Sequence, residues 1–97
     1  MEYIKEKEIR VYLNLRINQN KNQIKKIIVQ KSTTVAQLLI FIRRKIKLKS
    51  EQAIFIIVND TMPIANQMIG DLYETFKNKD GGLDILCQGE DCFGFSR

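Results

Sequence analysis

The sequence contains no histidine, which removes the most frequent general acid–base group and the usual activating partner of a nucleophilic serine or cysteine. It has two cysteines, Cys87 and Cys92. Two thiolates without histidine cannot fill a tetrahedral zinc site, so no metal is expected. Neither G-x-x-x-x-G-K-S/T nor G-x-G-x-x-G occurs, so neither phosphate-cradling loop is available. No apolar stretch approaches the ~18 residues that would cross a bilayer. The opening MEYIKEKEI is too charged for a signal peptide. The cytosol is therefore the default expectation, and both cysteines are expected to be free thiols. Acidic residues are also missing where it matters: there is none between Arg10 and Ser50.

What is present fits one small domain. The chain has 97 residues, of which 44% are hydrophobic, close to the globular average of roughly 45–50% and too rich for wholesale disorder. The net charge of +5 hides a split: residues 1–49 carry 13 basic and 3 acidic side chains, residues 50–97 carry 3 and 8. A basic block of this kind invites a nucleic-acid reading through phosphate neutralisation. No RNP-like motif accompanies it, and aromatics are not interleaved with the basics. A solvated helix end and an edge strand guarded by Lys25, Lys26 and Lys31 is the plainer account, and no nucleic-acid partner is expected.

The hydrophobic pattern changes period along the chain. From Arg10, Val11, Leu13, Leu15 and Ile17 alternate with Arg10, Tyr12, Asn14 and Arg16, the pattern of a half-buried strand. The polar run Asn18–Gln23 suits a hairpin loop, and Ile24–Gln30 a second strand. Thr34 and Gln37 have capping-box spacing. Behind them Val35, Leu38, Leu39, Ile42 and Ile46 follow a helical rhythm, and Arg43, Arg44, Lys45, Lys47 and Lys49 complement the carbonyl end of that helix. Ala53–Val58 reads as a strand buried on both faces, and Asn59-Asp60 as a turn. Met68–Phe76 reads as a short helix presenting Met68, Ile69, Leu72 and Phe76, Asp80-Gly81-Gly82 as a turn, and Leu83–Cys87 as the last strand. The order β-β-α-β-α-β predicts an α+β β-grasp domain. In it a mixed sheet wraps one main helix, the first and last strands are central and parallel, and the second strand is an edge. Residues 1–9 read as a short arm, 10–88 as the domain and 89–97 as a tail.

No catalytic constellation emerges, so no enzymatic activity and no cofactor are expected. Glu90 and Asp91 are sequence neighbours and read as solvated surface. Cys87 reads as a small core residue, and Cys92 as an exposed thiol without a base to activate it. The tail holds Gly94 three residues before the end. A residue without Cβ gives an acyl donor an extended, unhindered approach through a narrow enzyme channel, so a ubiquitin-like modifier is the reading this topology favours.

Residues 25–94 resemble the autophagy ubiquitin-like modifiers of the GABARAP and microtubule-associated light-chain-3 family. The resemblance is carried by Lys25-Lys26-Ile27-Ile28-Val29, by Thr34-Val35-Ala36-Gln37 with Ile42-Arg43-Arg44-Lys45-Ile46, and by the run from Ala53 to Pro63. Lys79-Asp80-Gly81 and Gly89-Glu90 with Phe93-Gly94 complete it. It implies a cysteine protease that cuts between Gly94 and Phe95, releasing Phe95-Ser96-Arg97. It further implies activation of Gly94 by an ATP-dependent E1-like enzyme, transfer through E2-like thioesters, and conjugation to phosphatidylethanolamine, with the protein cytoplasmic and then autophagosomal. Cargo receptors with aromatic-x-x-aliphatic motifs would add a strand to the second-strand edge. The resemblance implies a binding site of Lys26, Ile27, Ile28, Val29, Leu38 and Phe41, with Arg43 and Lys45 attracting the acidic flank, on a monomer in solution. By helical spacing alone, Leu38 also reads as core. The nine residues ahead of the first strand are too few for both N-terminal helices of the family, which are expected to be reduced or absent. The run Ile69-Gly70-Asp71-Leu72-Tyr73 with Phe76 also resembles the sibling modifier that is conjugated to another protein through its terminal glycine. Conjugation to a protein, or service as an unconjugated binding module, therefore stands beside the lipid reading.

Overall fold

The computed structural model describes residues 7–18, 21–46 and 52–89. They form β1 (Glu8–Asn18), β2 (Lys21–Gln30), α1 (Val35–Ile46), β3 (Ile54–Ile57), α2 (Ile69–Phe76) and β4 (Leu83–Gly89). The sheet order is β2-β1-β4-β3. β1 runs antiparallel to β2 and parallel to β4, and β3 runs antiparallel to β4. The two central strands are thus the first and last, and β2 is an edge, as the β-grasp reading expects.

Alternation in β1 sends Ile9, Val11, Leu13 and Leu15 into the core against Val35, Leu38 and Ile42 of α1 and Leu83, Ile85 and Cys87 of β4. The strand begins at Glu8 rather than Arg10. Ile9, expected in the N-terminal arm, is buried as the first inward residue of the series. The hairpin is tighter than Asn18–Gln23, since β2 begins at Lys21. Leu15 faces Gln23 while Asn18 faces Lys21, so β1 absorbs one extra residue as a bulge.

α1 starts at the predicted capping box. The Thr34 backbone N–H donates to Gln37 Oε1 at 3.0 Å, and the Gln37 N–H donates to Thr34 Oγ1 at 3.2 Å. The next free donors of the first turn are met by a neighbouring loop: Val35 N–H reaches Gln67 O and Ala36 N–H reaches Ala65 O, both at 2.9 Å. A helix start leaves several backbone donors without intrahelical partners, and here the loop before α2 supplies the carbonyls. That loop is locked in turn to the segment after β2 through Ile69 N–H to Thr33 O and Gly70 N–H to Lys31 O. A Cβ on Gly70 would lie 2.9 Å from Lys31 Cβ and O, so only glycine permits this approach.

Two expectations are corrected. β3 is not buried on both faces. It is the second sheet edge, with Ile54 and Ile56 buried and Phe55 and Ile57 only partly so. An apolar run reports the surroundings of a strand but not which strands pair with it, and β3 has a partner on one side only. Met68 does not join the buried face of α2. It sits at the N-cap, 43% exposed, and the helix begins at Ile69. The turn at Asn59-Asp60 is present, with φ of 51° and 67°, and it is closed by Val58 N–H to Thr61 O at 2.8 Å and Thr61 N–H to Val58 O at 3.0 Å. Paired positive φ values are the mark of a type I′ hairpin. The turn at Asp80-Gly81-Gly82 is also present, with Gly81 at φ 88°.

Candidate peptide-binding groove

The antiparallel register divides β2 into two faces. Ile27 and Val29 stand opposite Val11 and Ile9, and therefore face α1. Lys26 and Ile28 stand opposite Tyr12 and Arg10, on the outer face. Between β2 and the last turns of α1 lies a cavity of about 140 Å³, lined by Leu13, Leu15, Lys25, Lys26, Ile27, Phe41, Ile42, Lys45 and Ile46. Its walls are mostly aliphatic and its rim carries three lysines. Phe41 is 40% exposed, and the Lys45 ammonium lies 5.8 Å from its ring centroid, a cation–π distance. On the outer face a second hollow of about 270 Å³ is bordered by Arg10, Tyr12, Lys26, Ile27 and Ile28, and Ile28 is 42% exposed. Lys26, on the edge strand, borders both.

The eight predicted binding residues therefore do not form one site. Ile27, Phe41 and Lys45 meet in the groove, and Lys26 stands on its rim. Ile28 lines the outer hollow instead, because β2 alternates. Val29 packs against the core beside Ile9. Leu38 is 1% exposed and lines neither cavity; it is a core residue, as its helical spacing allowed. Arg43 is displaced as well. Its guanidinium donates to the Gln52 carbonyl at 2.5 Å on the β3 side of the helix. At about 100° per residue it lies roughly 200° around α1 from both Phe41 and Lys45, so it cannot share their stripe.

Sequence reasoning missed Leu13, Leu15, Lys25, Ile42 and Ile46 as groove residues. The signal was available: Lys25 shares the inward face of Ile27 by alternation, and Ile42 and Ile46 lie one turn apart on the stripe of Leu38. Among the described residues no carboxylate pairs with Lys25, Lys26 or Lys45, whereas Lys31 forms an ion pair with Glu74 at 3.8 Å. Among the described residues the rim therefore carries positive charge without a carboxylate partner around an apolar floor, an arrangement suited to an acidic segment with one large apolar anchor.

Cys87 is fully buried in β4. Burial pushes its thiol up to about 11, against a smaller opposing pull from the Arg43 guanidinium, which makes it a core residue and a poor nucleophile. Phe93, Gly94 and Phe95, the expected cleavage and conjugation residues, lie outside the described residues, as do Cys92, the Glu90–Asp91 pair and most of the arm.

The model of the family described as "Autophagy protein Atg8 ubiquitin like" matches residues 5–94. The chain belongs to the Atg8 ubiquitin-like family. That family comprises ubiquitin-like modifiers of the GABARAP and light-chain-3 type rather than enzymes. Autophagy-related protein 8 of Candida albicans is 46% identical over 70 residues, 72% of this chain and 52% of that protein. The Pichia angusta protein of the same name is 44% identical over 70 residues, 72% of this chain and 56% of its own length. The chain thus spans about half the length of these curated relatives. The crystal structure of Trypanosoma brucei ATG8 superposes with a TM-score of 0.73 at 25% identity, covering 87% of this chain and 74% of that one. This places the β2-β1-β4-β3 sheet with its helices in the ubiquitin-like fold.

Proposed function

We propose that this Atg8-family chain is a modifier of autophagy that is cut after Gly94, joined through Gly94 to phosphatidylethanolamine, and read by cargo receptors through short acidic aromatic-x-x-aliphatic segments. The observation that carries the reading is the groove between β2 and α1, an aliphatic cavity of about 140 Å³ set beside an open sheet edge and rimmed by lysines. An extended peptide adds main-chain hydrogen bonds to such an edge while one side chain fills the cavity and flanking carboxylates meet the rim. The partners of this reading are a processing cysteine protease, E1-like and E2-like enzymes, and a phospholipid acceptor, acting in the cytoplasm and on the autophagosomal membrane. The basic block serves acidic peptides rather than nucleic acid.

Incubation with the matching protease and conjugation enzymes tests the covalent part. The intact mass is expected to fall by the tripeptide Phe-Ser-Arg and then to rise by one phospholipid, with no adduct on Gly94→Ala. An uncut chain, a stable adduct with another polypeptide, or a lipid adduct surviving on Gly94→Ala overturns the lipid reading.

A further inference from the structure

Charge is segregated along the strand direction. β1 and the parallel β4 finish at the same end of the sheet, where Arg16 stands beside Gln88. β2 and β3 both begin at that end, since Asn18 faces Lys21 and Ile54 faces Gly89. The last turn of α1 lies there too, because the Arg43 guanidinium donates to the Gln52 carbonyl just ahead of β3.

Every described carboxylate belongs to the opposite half. Glu8 opens β1, and Asp84 stands beside Tyr12 near the start of β4. Asp60 lies in the turn after β3, and Asp80 in the turn that leads into β4. Asp71 and Glu74 belong to α2, which is tied to the segment after β2 by Gly70 N–H to Lys31 O and by the Lys31–Glu74 ion pair. The end where β1 and β4 finish holds instead Arg16, Lys21, Arg43, Arg44 and Lys45, with no carboxylate among the described residues. The connections on either side, outside the described residues, add Lys47, Lys49, Glu51, Glu90 and Asp91 in sequence, which leaves the excess positive.

These cations are not gathered in a cleft. Arg16 is exposed on the outer face of the sheet, since it alternates with the buried Leu15. Arg44 is exposed on the far side of the molecule, roughly 200° around α1 from the buried Ile42. A peptide in the groove meets Lys25, Lys26 and Lys45 and leaves both arginines untouched. A broad anionic surface set across the end of the fold meets them together, the long side chains bending toward it. The chain also leaves the fold at this end. Gly94 follows Gly89 by five residues, at most about 17–18 Å of extended chain, so an acceptor joined to Gly94 is held close to the basic end.

We propose that this end of the fold is a docking surface for anionic phospholipid bilayers, with Arg16, Arg44 and Lys45 set against the headgroups. The chain then meets a membrane end-on, with its C-terminal segment toward the lipid. The contact is non-covalent and belongs to the unconjugated chain, so it goes beyond the lipid-conjugation reading and is tested without the conjugation enzymes.

The test is co-sedimentation of the unconjugated full chain with vesicles of phosphatidylcholine containing about one-third phosphatidylserine, at low and high salt. Binding is expected at low salt, lost at high salt, and absent from vesicles of phosphatidylcholine alone. Each cation at such a surface accounts for about fivefold in partitioning, so Arg16→Gln/Arg44→Gln is expected to weaken binding roughly thirtyfold. Lys77→Gln/Lys79→Gln changes the net charge equally at the opposite end and is expected to leave binding nearly unchanged. Equal losses in the two variants, no loss in either, or no binding by the parent overturns the proposal. In bilayer discs of the same composition, a spin-labelled phospholipid is expected to broaden the amides of Arg16, Gln88, Arg44 and Lys45 and to spare those of Asp60, Asp71 and Asp84; the reverse pattern overturns it. Arg16 and Arg44 line no part of the groove, so the arginine variant is expected to keep its affinity for an acidic-aromatic peptide. Tighter binding of a single-stranded oligonucleotide than of the vesicles, with the same arginine dependence, assigns the surface to nucleic acid and overturns the membrane reading.

Discussion

Phe41 and Lys45 stand one turn apart on α1, with the ammonium 5.8 Å from the ring centroid, and together they form the helix wall of the groove. The pair is exposed enough to meet a partner and contributes little to the core. Phe41→Ala is therefore expected to weaken acidic-aromatic peptide binding roughly tenfold, a loss of about 1–2 kcal/mol for a central aromatic contact, with the unfolding midpoint little changed. Calorimetric titration alongside chemical denaturation separates the two quantities. A substitution in the 18–23 loop that weakens binding more than Phe41→Ala does would show that the peptide docks elsewhere.

Arg43 and Lys45 are two residues apart and are expected to behave in opposite ways. The guanidinium of Arg43 holds the Gln52 carbonyl across to β3, a hydrogen bond from a charged donor whose loss costs about 1.5–3 kcal/mol. Arg43→Ala should lower stability by that order and leave peptide affinity within about twofold. Lys45→Ala should leave stability nearly unchanged and weaken binding severalfold at low salt, the difference closing as ionic strength rises. Peptide titrations at two salt concentrations, with unfolding curves for both variants, decide it.

Much of this division is legible in the chain, and the rest is hidden for identifiable reasons. Alternation locates β1, and the spacing of Thr34 and Gln37 locates the start of α1, because both are set by contacts within a few residues. The site is blurred when Lys26 to Val29 are read as one patch, since alternate residues of a strand face opposite sides. Arg43 and Lys45 share a charge, which groups them in the sequence, but helical geometry separates them. The edge position of β3 depends on pairing with β4, some thirty residues away, and no local pattern reports that. The Ile17–Gly89 approach is likewise a product of the parallel β1–β4 pairing.

Leu38→Ala distinguishes core from pocket. The side chain is 1% exposed and packs among Val35, Ile42 and the inward residues of β1. Truncation of a buried leucine typically costs about 2–5 kcal/mol, a large share of the roughly 5–15 kcal/mol available to a domain. The expected result is a marked fall in the denaturation midpoint. The peptide affinity of the fraction that remains folded should stay close to that of the parent. A direct loss of affinity in a fully folded variant would return Leu38 to the site.

Thr34→Ala tests the helix start. It removes the Oγ1 acceptor of the Gln37 N–H while the loop carbonyls of Gln67 and Ala65 continue to hold the next two donors. Loss of a threonine cap costs about 0.5–2 kcal/mol. The low end is expected here, because part of the first turn is satisfied independently. Thermal unfolding of Thr34→Ala, Gln37→Ala and the double variant should show the pair to be coupled, each single change taking most of the double's effect.

Cys87 sets an alkaline limit to stability. Its thiol stays protonated in the folded chain up to about 11, while in the unfolded chain it ionises near 9.0. Between those values the unfolded state binds fewer protons, so stability falls as pH rises. The contribution is complete below about pH 9 and is lost progressively through about pH 11. Holding the thiol protonated across that window is worth about 2–3 kcal/mol. Cys87→Ala should lose packing at every pH, yet its stability should decline less steeply between pH 9 and 11 than that of the parent, the lysines and tyrosines being common to both. Alkylation gives an independent readout: Cys87 should resist iodoacetamide in the folded protein at about pH 8, below its ordinary ionisation range, and react once denaturant unfolds it. Rapid alkylation of Cys87 under native conditions, or parallel pH profiles for the two proteins, would contradict the buried, protonated thiol.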